Sequence, residues 1–242
     1  MEYKFAPNQS YEDLSSGRVI FHEKGFSNFP VRLASEIFMR CFELIGKPAE
    51  KIKLYDPCCG GGYLLTILGF LHHEQIGEIY GSDIAADATE LAQKNLGLLM
   101  REGLNLRKVQ LEQLYQSYGK ASHLGALESA AHLAKLSTDD LVSHVFVRDV
   151  LSANASGFEM PLVDIIITDV PYGNLVSWSS DAHKPEEQSN IALMLEQLFS
   201  HLKETGVIAI ISDKKQKIDY QNFKRVSKIQ VGKRKIEFFK KG

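Results

Sequence analysis

Four consecutive residues, Asp169-Val170-Pro171-Tyr172, have the types and order to do chemistry on a flat ring bearing an amino group. They follow the apolar run Leu162-Val163-Asp164-Ile165-Ile166-Ile167-Thr168, which reads as a buried strand. A carboxylate, a rigid proline and an aromatic ring thus sit at the carboxyl end of a strand, where open α/β sheets bind ligands. Asp169 and the Val170 carbonyl can accept hydrogen bonds, Pro171 fixes the backbone, and Tyr172 offers a stacking face. The plain alternative is a strand-ending turn with a packed tyrosine.

A second constellation lies upstream. Ile52-Lys53-Leu54-Tyr55 predicts a short strand running into Asp56-Pro57-Cys58-Cys59-Gly60-Gly61-Gly62-Tyr63, and Leu64 to Leu71 has helical length and composition. Glycines let a ligand approach the backbone, and the helix start offers free N–H groups. The next strand, Glu78 to Ser82, ends at Asp83, about twenty residues after the glycines, where a carboxylate can hold two ribose hydroxyls. A third strand, His144 to Val147, closes on Arg148-Asp149, and Asp149 can accept from an adenine amino group. The loop has Leu65 where a dinucleotide-binding loop needs its third glycine, and Asp56 suits a cationic amino acid end better than a pyrophosphate. Taken singly, each carboxylate can be read as a helix N-cap, and for Asp83 or Asp149 alone that reading is favoured. Three at successive strand ends make a site.

These residues resemble the S-adenosylmethionine-dependent methyltransferases of the Rossmann-like class. Asp-Val-Pro-Tyr is similar to the D/N-P-P-Y motif of amino-group methylating enzymes, with Val170 in place of a proline. The run from Phe29 to Phe38, the Pro-Cys-Cys-Gly-x-Gly-Tyr-Leu-Leu run from Pro57, and the spacing from Pro-Tyr-Gly to Trp178 resemble the AviRa-like 23S ribosomal RNA methyltransferases. The resemblance implies methyl transfer to a guanine of 23S rRNA, with the exocyclic nitrogen as the expected target, and a link to antibiotic resistance. It implies S-adenosyl-L-methionine held by Asp56, Pro57, Cys58, Cys59, Gly60, Gly62 and Tyr63 at its methionine end. Asp83 would take the ribose and Asp149 the adenine. Arg32 would reach the cofactor carboxylate or an RNA phosphate. Asp169, Val170, Pro171 and Tyr172 would form the catalytic turn, Trp178 would help hold an extruded base, and Lys233, Arg234 and Lys235 would contact phosphates. Rival readings are amino methylation of DNA or of a protein glutamine, a non-catalytic RNA- or cofactor-binding module, and a nicotinamide-dependent oxidoreductase.

The 242 residues suit one domain with an insertion, and 44% apolar content is ordinary for a globular chain. No apolar stretch is long enough to span a membrane, and the first residues lack the pattern of a signal peptide. Cys41, Cys58 and Cys59 make no disulfide framework and lack metal-ligand spacing, so a cytoplasmic protein without a metal is expected; a monomer is the expected state. Net charge is only -2, yet from Lys214 onward lysine and arginine dominate, which suits phosphate contact as well as a solvated surface.

The elements that must position these residues are legible in outline. The expected fold is α/β, a Rossmann-like and mostly parallel sheet with a C-terminal antiparallel hairpin and a helical insertion after the second strand. Residues 1–28 should wrap the domain, and Pro30 should open a helix to about Leu44, making residues 1–47 an N-terminal wrap and helix. Ala86 to Met100 reads as a helix. Residues 101–142 read as an insertion of two helices, with Leu111, Leu114, Tyr115 and Tyr118 on one apolar face and Leu124, Leu127, Ala131 and Ala134 on the other. A covering hairpin is the favoured role for it over direct substrate contact. Gly173 to Asn190 should be a loop, Ile191 to Leu202 a helix and Val207 to Ile211 a strand. Val226 to Val231 and Lys235 to Phe239 should form a hairpin around Gly232-Lys233-Arg234.

Overall fold

In the computed structural model, residues 2–26, 28–152, 159–170, 187–218, 220 and 222–242 are described, with the side chains of 187–189 excepted. Pro171, Tyr172 and Trp178 lie outside the described residues. The sheet contains β1 (Ile52–Asp56), β2 (Ile76–Asp83), β3 (Val142–Val147), β4 (Val163–Asp169), β5 (Leu202–Asp213), β6 (Phe223–Val231) and β7 (Arg234–Lys241). Its order is β3-β2-β1-β4-β5-β7-β6. Strands β1 to β5 pair in parallel, and β7 runs against both β5 and β6. The strand order switches direction between β1 and β4, which opens a crevice at their carboxyl ends.

Parity along the strands builds two cores. Leu54, Ile165, Ile167, Ile211, Ile236 and Phe238 face α1 (Val31–Leu44), α2 (Tyr63–His72) and α3 (Ala86–Gly97). Tyr55, Ile166, Ile208, Ile210 and Phe239 face the opposite layer, with Met194, Leu195 and Leu198 of α6 (Glu187–Phe199). The central strands are apolar on both faces because helices cover both.

Several boundaries differ from the sequence expectation. The helix from Ala86 stops at Gly97; a bend at residues 98–100 separates it from α4 (Arg101–Tyr118). In α5 (Ala121–Leu133) the buried face is Ala126, Ser129, Ala130 and Leu133, whereas Leu124 is exposed. Small residues pack closely there, so the larger leucine does not mark the inner face. Leu104 and Leu111 of α4 join the first core, and no residue of α4 or α5 lines the main cavity. Helix α6 begins a turn before Ile191, and β5 begins at Leu202 because that residue already pairs with Val163. Among the described residues no helix is long and apolar enough to cross a membrane.

Side chains of α1 tie down the start of the N-terminal segment. Glu36 is fully buried on α1 and accepts the backbone N–H groups of Lys4, Phe5 and Ala6 at 2.9, 2.8 and 2.9 Å. Burial pushes its carboxyl up, but those bonds and Arg40 outweigh burial and hold it below the usual range. Arg32 belongs to the same clamp. It donates to the Ala6 carbonyl and Asn8 Oδ1, both at 3.2 Å, and stacks 4.0 Å from the Tyr3 ring centroid. It does not line the cavity, so its place is in the N-terminal wrap rather than beside the expected cofactor carboxylate.

Candidate active site

Sheet register gathers the acidic strand ends. Asp56 is opposite Gly81, so Asp83 projects two residues beyond it; Leu54 is opposite Ile165, so Asp169 does the same on the other side. The three carboxylates border one cavity of about 500 Å³. Its walls also include the glycine loop, Ile84, the segment from Arg148 to Leu151, Val170 and Arg234.

Each of three aspartates spends one oxygen on the turn that follows its strand. Asp56 accepts from Cys58 N–H at 3.0 Å, Asp83 from Ala85 N–H at 3.1 Å, and Asp149 from Leu151 N–H at 2.9 Å. None is a helix N-cap; Ala85 caps α3, with no side-chain bond. The second oxygen of Asp83 accepts Gly60 N–H at 2.9 Å and clamps the glycine loop to β2. Asp56 is strongly perturbed by its surroundings. Burial, reinforced by Asp169 and Asp83, pushes its carboxyl up to about 7. Among the described residues it has no cationic partner.

The loop's conformation demands its glycines. Gly60 and Gly62 have φ of 50° and 73°, and a Cβ on Gly62 would lie 2.9 Å from the Ala92 backbone. Cys59 is buried, its N–H donating to the Ser82 carbonyl at 2.9 Å, while Cys58 and Pro57 line the cavity. Burial pushes both thiols up, so neither is a ready nucleophile. Tyr63 lines the cavity but commits its hydroxyl to the Leu14 carbonyl at 2.8 Å.

Sequence reasoning missed one wall and its fastening. Phe21, His22, Phe26 and Phe29 bring the N-terminal segment over the glycine loop. Asn95, fully buried on α3, accepts Phe21 N–H at 2.8 Å and donates to the Gly61 carbonyl at 2.8 Å and the Phe21 carbonyl at 3.2 Å. A lone asparagine inside a helix carries no spacing signal, and its partners lie 34 and 74 residues away.

The basic hairpin divides into three different residues. Lys233 is exposed at the turn. Arg234 is the first residue of β7 and lines the cavity. Lys235 is 5% exposed, with Nζ 2.7 Å from Glu237 Oε2 and a further bond to the Gln216 carbonyl. The expectation that Lys235 meets a phosphate is therefore corrected: its charge is buried and paired. Arg225 holds the other oxygen of Glu237 at 2.6 Å.

Comparison with known proteins agrees with this geometry. The family model described as rRNA methyltransferase AviRa matches residues 1–234. A curated protein of Streptomyces viridochromogenes, named 23S rRNA (guanine(2535)-N(1))-methyltransferase, is 35% identical over 231 residues, covering 92% of this chain and 88% of that protein. Two crystal structures of the rRNA methyltransferase AviRa from the same organism superpose with a TM-score of 0.84, at 31% and 32% identity, covering 98% of this chain and 96% of theirs. A putative class I S-adenosylmethionine-dependent methyltransferase from Listeria monocytogenes shares only the fold, with a TM-score of 0.51 at 14% identity. A seven-stranded sheet with three acidic strand ends round one crevice, matched along nearly its whole length, places this chain in the AviRa rRNA methyltransferase family.

Proposed function

We propose that this chain transfers a methyl group from S-adenosylmethionine to N1 of a guanine in 23S rRNA. The observation that carries the reading is Asp169 at the end of β4, bordering the same cavity as Asp56 and Asp83. The sequence suggested an exocyclic nitrogen. The Streptomyces relative is named for N1, a ring nitrogen, and the same residues serve that atom better.

The cavity fits the cofactor. Its volume lies within the usual range for small-molecule sites. Asp56 is a buried carboxylate with no cationic partner among the described residues, and an α-amino group would balance it. Asp83 retains acceptor capacity for ribose hydroxyls, and Ile84, 45% exposed, with Val150 and Leu151 offers apolar surface beside Asp149 for an adenine. When bound, the cofactor supplies an electrophilic methyl group.

The chain's own residues deal with the proton. The N1–H of guanine is amide-like, and its lone pair becomes available only as the proton leaves. Asp169 accepts that proton. The Val170 carbonyl accepts from the neighbouring exocyclic amine, and Val170 N–H is fixed to the Ile211 carbonyl at 3.1 Å. Positioning supplies much of the remaining rate. Pro171, Tyr172 and Trp178 keep their proposed roles in gripping the base, and Lys233 its role at a phosphate.

An N1 methyl group blocks the Watson–Crick edge, so reverse transcriptase halts at the modified base. Treatment of unmodified 23S rRNA with the enzyme should create one strong stop. The Asp169→Asn variant should bind S-adenosylhomocysteine normally yet form the stop roughly 10²- to 10⁴-fold more slowly. Near-normal stop formation by that variant would remove Asp169 from the mechanism.

A further inference from the structure

Arg234 stands apart from the other cations of the C-terminal hairpin. Its neighbours on β7 with the same parity, Ile236 and Phe238, face the α1 core, as do Ile165 and Ile167, which share parity with Asp169. Arg234 and Asp169 therefore project from the same face of the sheet. Only β5 lies between their strands, and Asp169 is level with Ile236, two residues along β7 from Arg234, so two strand spacings and the rise of two residues put them about 12 Å apart. That gap takes a purine ring with a hydrogen bond at each edge.

The guanidinium is held but not used. Its Cζ lies 5.3 Å from the Phe29 ring centroid, a contact that fixes the plane without consuming an N–H. Among the described residues Arg234 has no ion pair, and its buried Nε has no hydrogen-bond partner. Asp213, opposite it on β5, spends Oδ1 on the Lys215 N–H at 2.8 Å. A rigid donor fork in a cavity wall calls for a ligand with two adjacent acceptors on one edge.

We infer that Arg234 reads the O6–N7 edge of the guanine whose N1 edge meets Asp169. The inference rests on the proposed function and adds the recognition element. Guanine presents two acceptors to a fork at that edge, whereas adenine presents a donor beside N7. The same contact assists the chemistry. As the N1–H bond breaks and its proton passes to Asp169, negative charge spreads from N1 onto O6, where Arg234 receives it. The N1 electron pair forms the new bond to the methyl carbon, and the pair of the broken carbon–sulfur bond stays on sulfur.

The test pairs two changes. Wild type, Arg234→Lys and Arg234→Ala are assayed on 23S rRNA transcribed with guanosine or with 7-deazaguanosine, which keeps Watson–Crick pairing but lacks N7. Calorimetry with S-adenosylhomocysteine checks each variant. The inference predicts that Arg234→Ala lowers kcat/KM roughly ten- to hundredfold on guanosine RNA, with homocysteine-product affinity unchanged. Wild type should lose several-fold on 7-deazaguanosine RNA, and Arg234→Ala should not distinguish the two RNAs. Arg234→Lys should retain part of the rate but lose the preference. Equal sensitivity to 7-deazaguanosine in wild type and Arg234→Ala overturns the inference, as does loss of S-adenosylhomocysteine binding in both variants. If wild type methylates no guanine in either RNA, the proposed function itself fails, which is a distinct result.

Discussion

Asp56 is the residue whose chemistry is most constrained by its surroundings. Its folded carboxyl, pushed up to about 7 from 3.8, holds a proton that the unfolded chain releases. The sign follows: stability contributed by Asp56 is full below about pH 4 and is lost as pH rises through 7, by at most about 4 kcal/mol. Ligand-free Asp56→Asn should therefore melt higher than wild type at pH 8, with the difference vanishing near pH 4. Thermal melts across that range check this; parallel curves contradict it. A cationic ligand group should reverse the preference, so S-adenosylmethionine should bind wild type more tightly as pH rises from 5 to 7. That Asp83 and Asp149 border one cavity was legible from their strand ends, because acidic residues at successive strand ends of a parallel sheet converge on one crevice. Arg32 was misread because a helix-face arginine looks alike whether it meets a ligand or a neighbouring segment, and Lys235 because charge patterning does not reveal which lysine the strand's period-2 alternation turns inward.

At the scale of elements, the site depends on a glycine loop held from three sides. Asp83 grips Gly60, Ala92 crowds Gly62, and Asn95 joins Gly61 to the N-terminal segment. Removing Asn95 leaves the Gly61 carbonyl and both Phe21 backbone groups without this partner, each unsatisfied buried group costing about 1–3 kcal/mol. Asn95→Ala should thus lower the melting temperature and weaken S-adenosylhomocysteine binding by tenfold or more. Calorimetry with a folded variant that binds normally would show that the strap does not shape the site. The strand–loop–helix unit was legible because its glycines and strand periodicity are local. The strap from Phe21 to Phe29 was not, because its contacts are long-range and it has no repeating pattern. Helix α5 shows a related failure: its existence followed from composition, but its inner face runs through Ala126, Ser129, Ala130 and Leu133 and leaves Leu124 outside.

Over the whole molecule, charge is divided by region. Lys214, Lys215, Lys217 and Lys233 are exposed, and Lys214 N–H donates to the Lys233 carbonyl at 2.9 Å, which joins the end of β5 to the hairpin turn beside Arg234. This rim, rather than Lys235, is the surface expected to meet phosphates. Replacing all four lysines by glutamine should weaken RNA binding and reduce the slope of log affinity against log salt by up to about one unit per lost contact. Affinity for S-adenosylhomocysteine should not change, and an unaltered slope would move the RNA surface elsewhere. The strands and the C-terminal hairpin were legible from the order of apolar runs, and their joining into one mostly parallel sheet was implied by the resemblance, while the rim required β5 and β7 to be brought side by side. The central claim concerns which atom receives the methyl group. Unmodified 23S rRNA incubated with the purified protein and S-adenosylmethionine, digested to nucleosides and resolved by mass spectrometry against standards, should yield 1-methylguanosine. The appearance of 2-methylguanosine instead, or of no methylated guanosine, would contradict it.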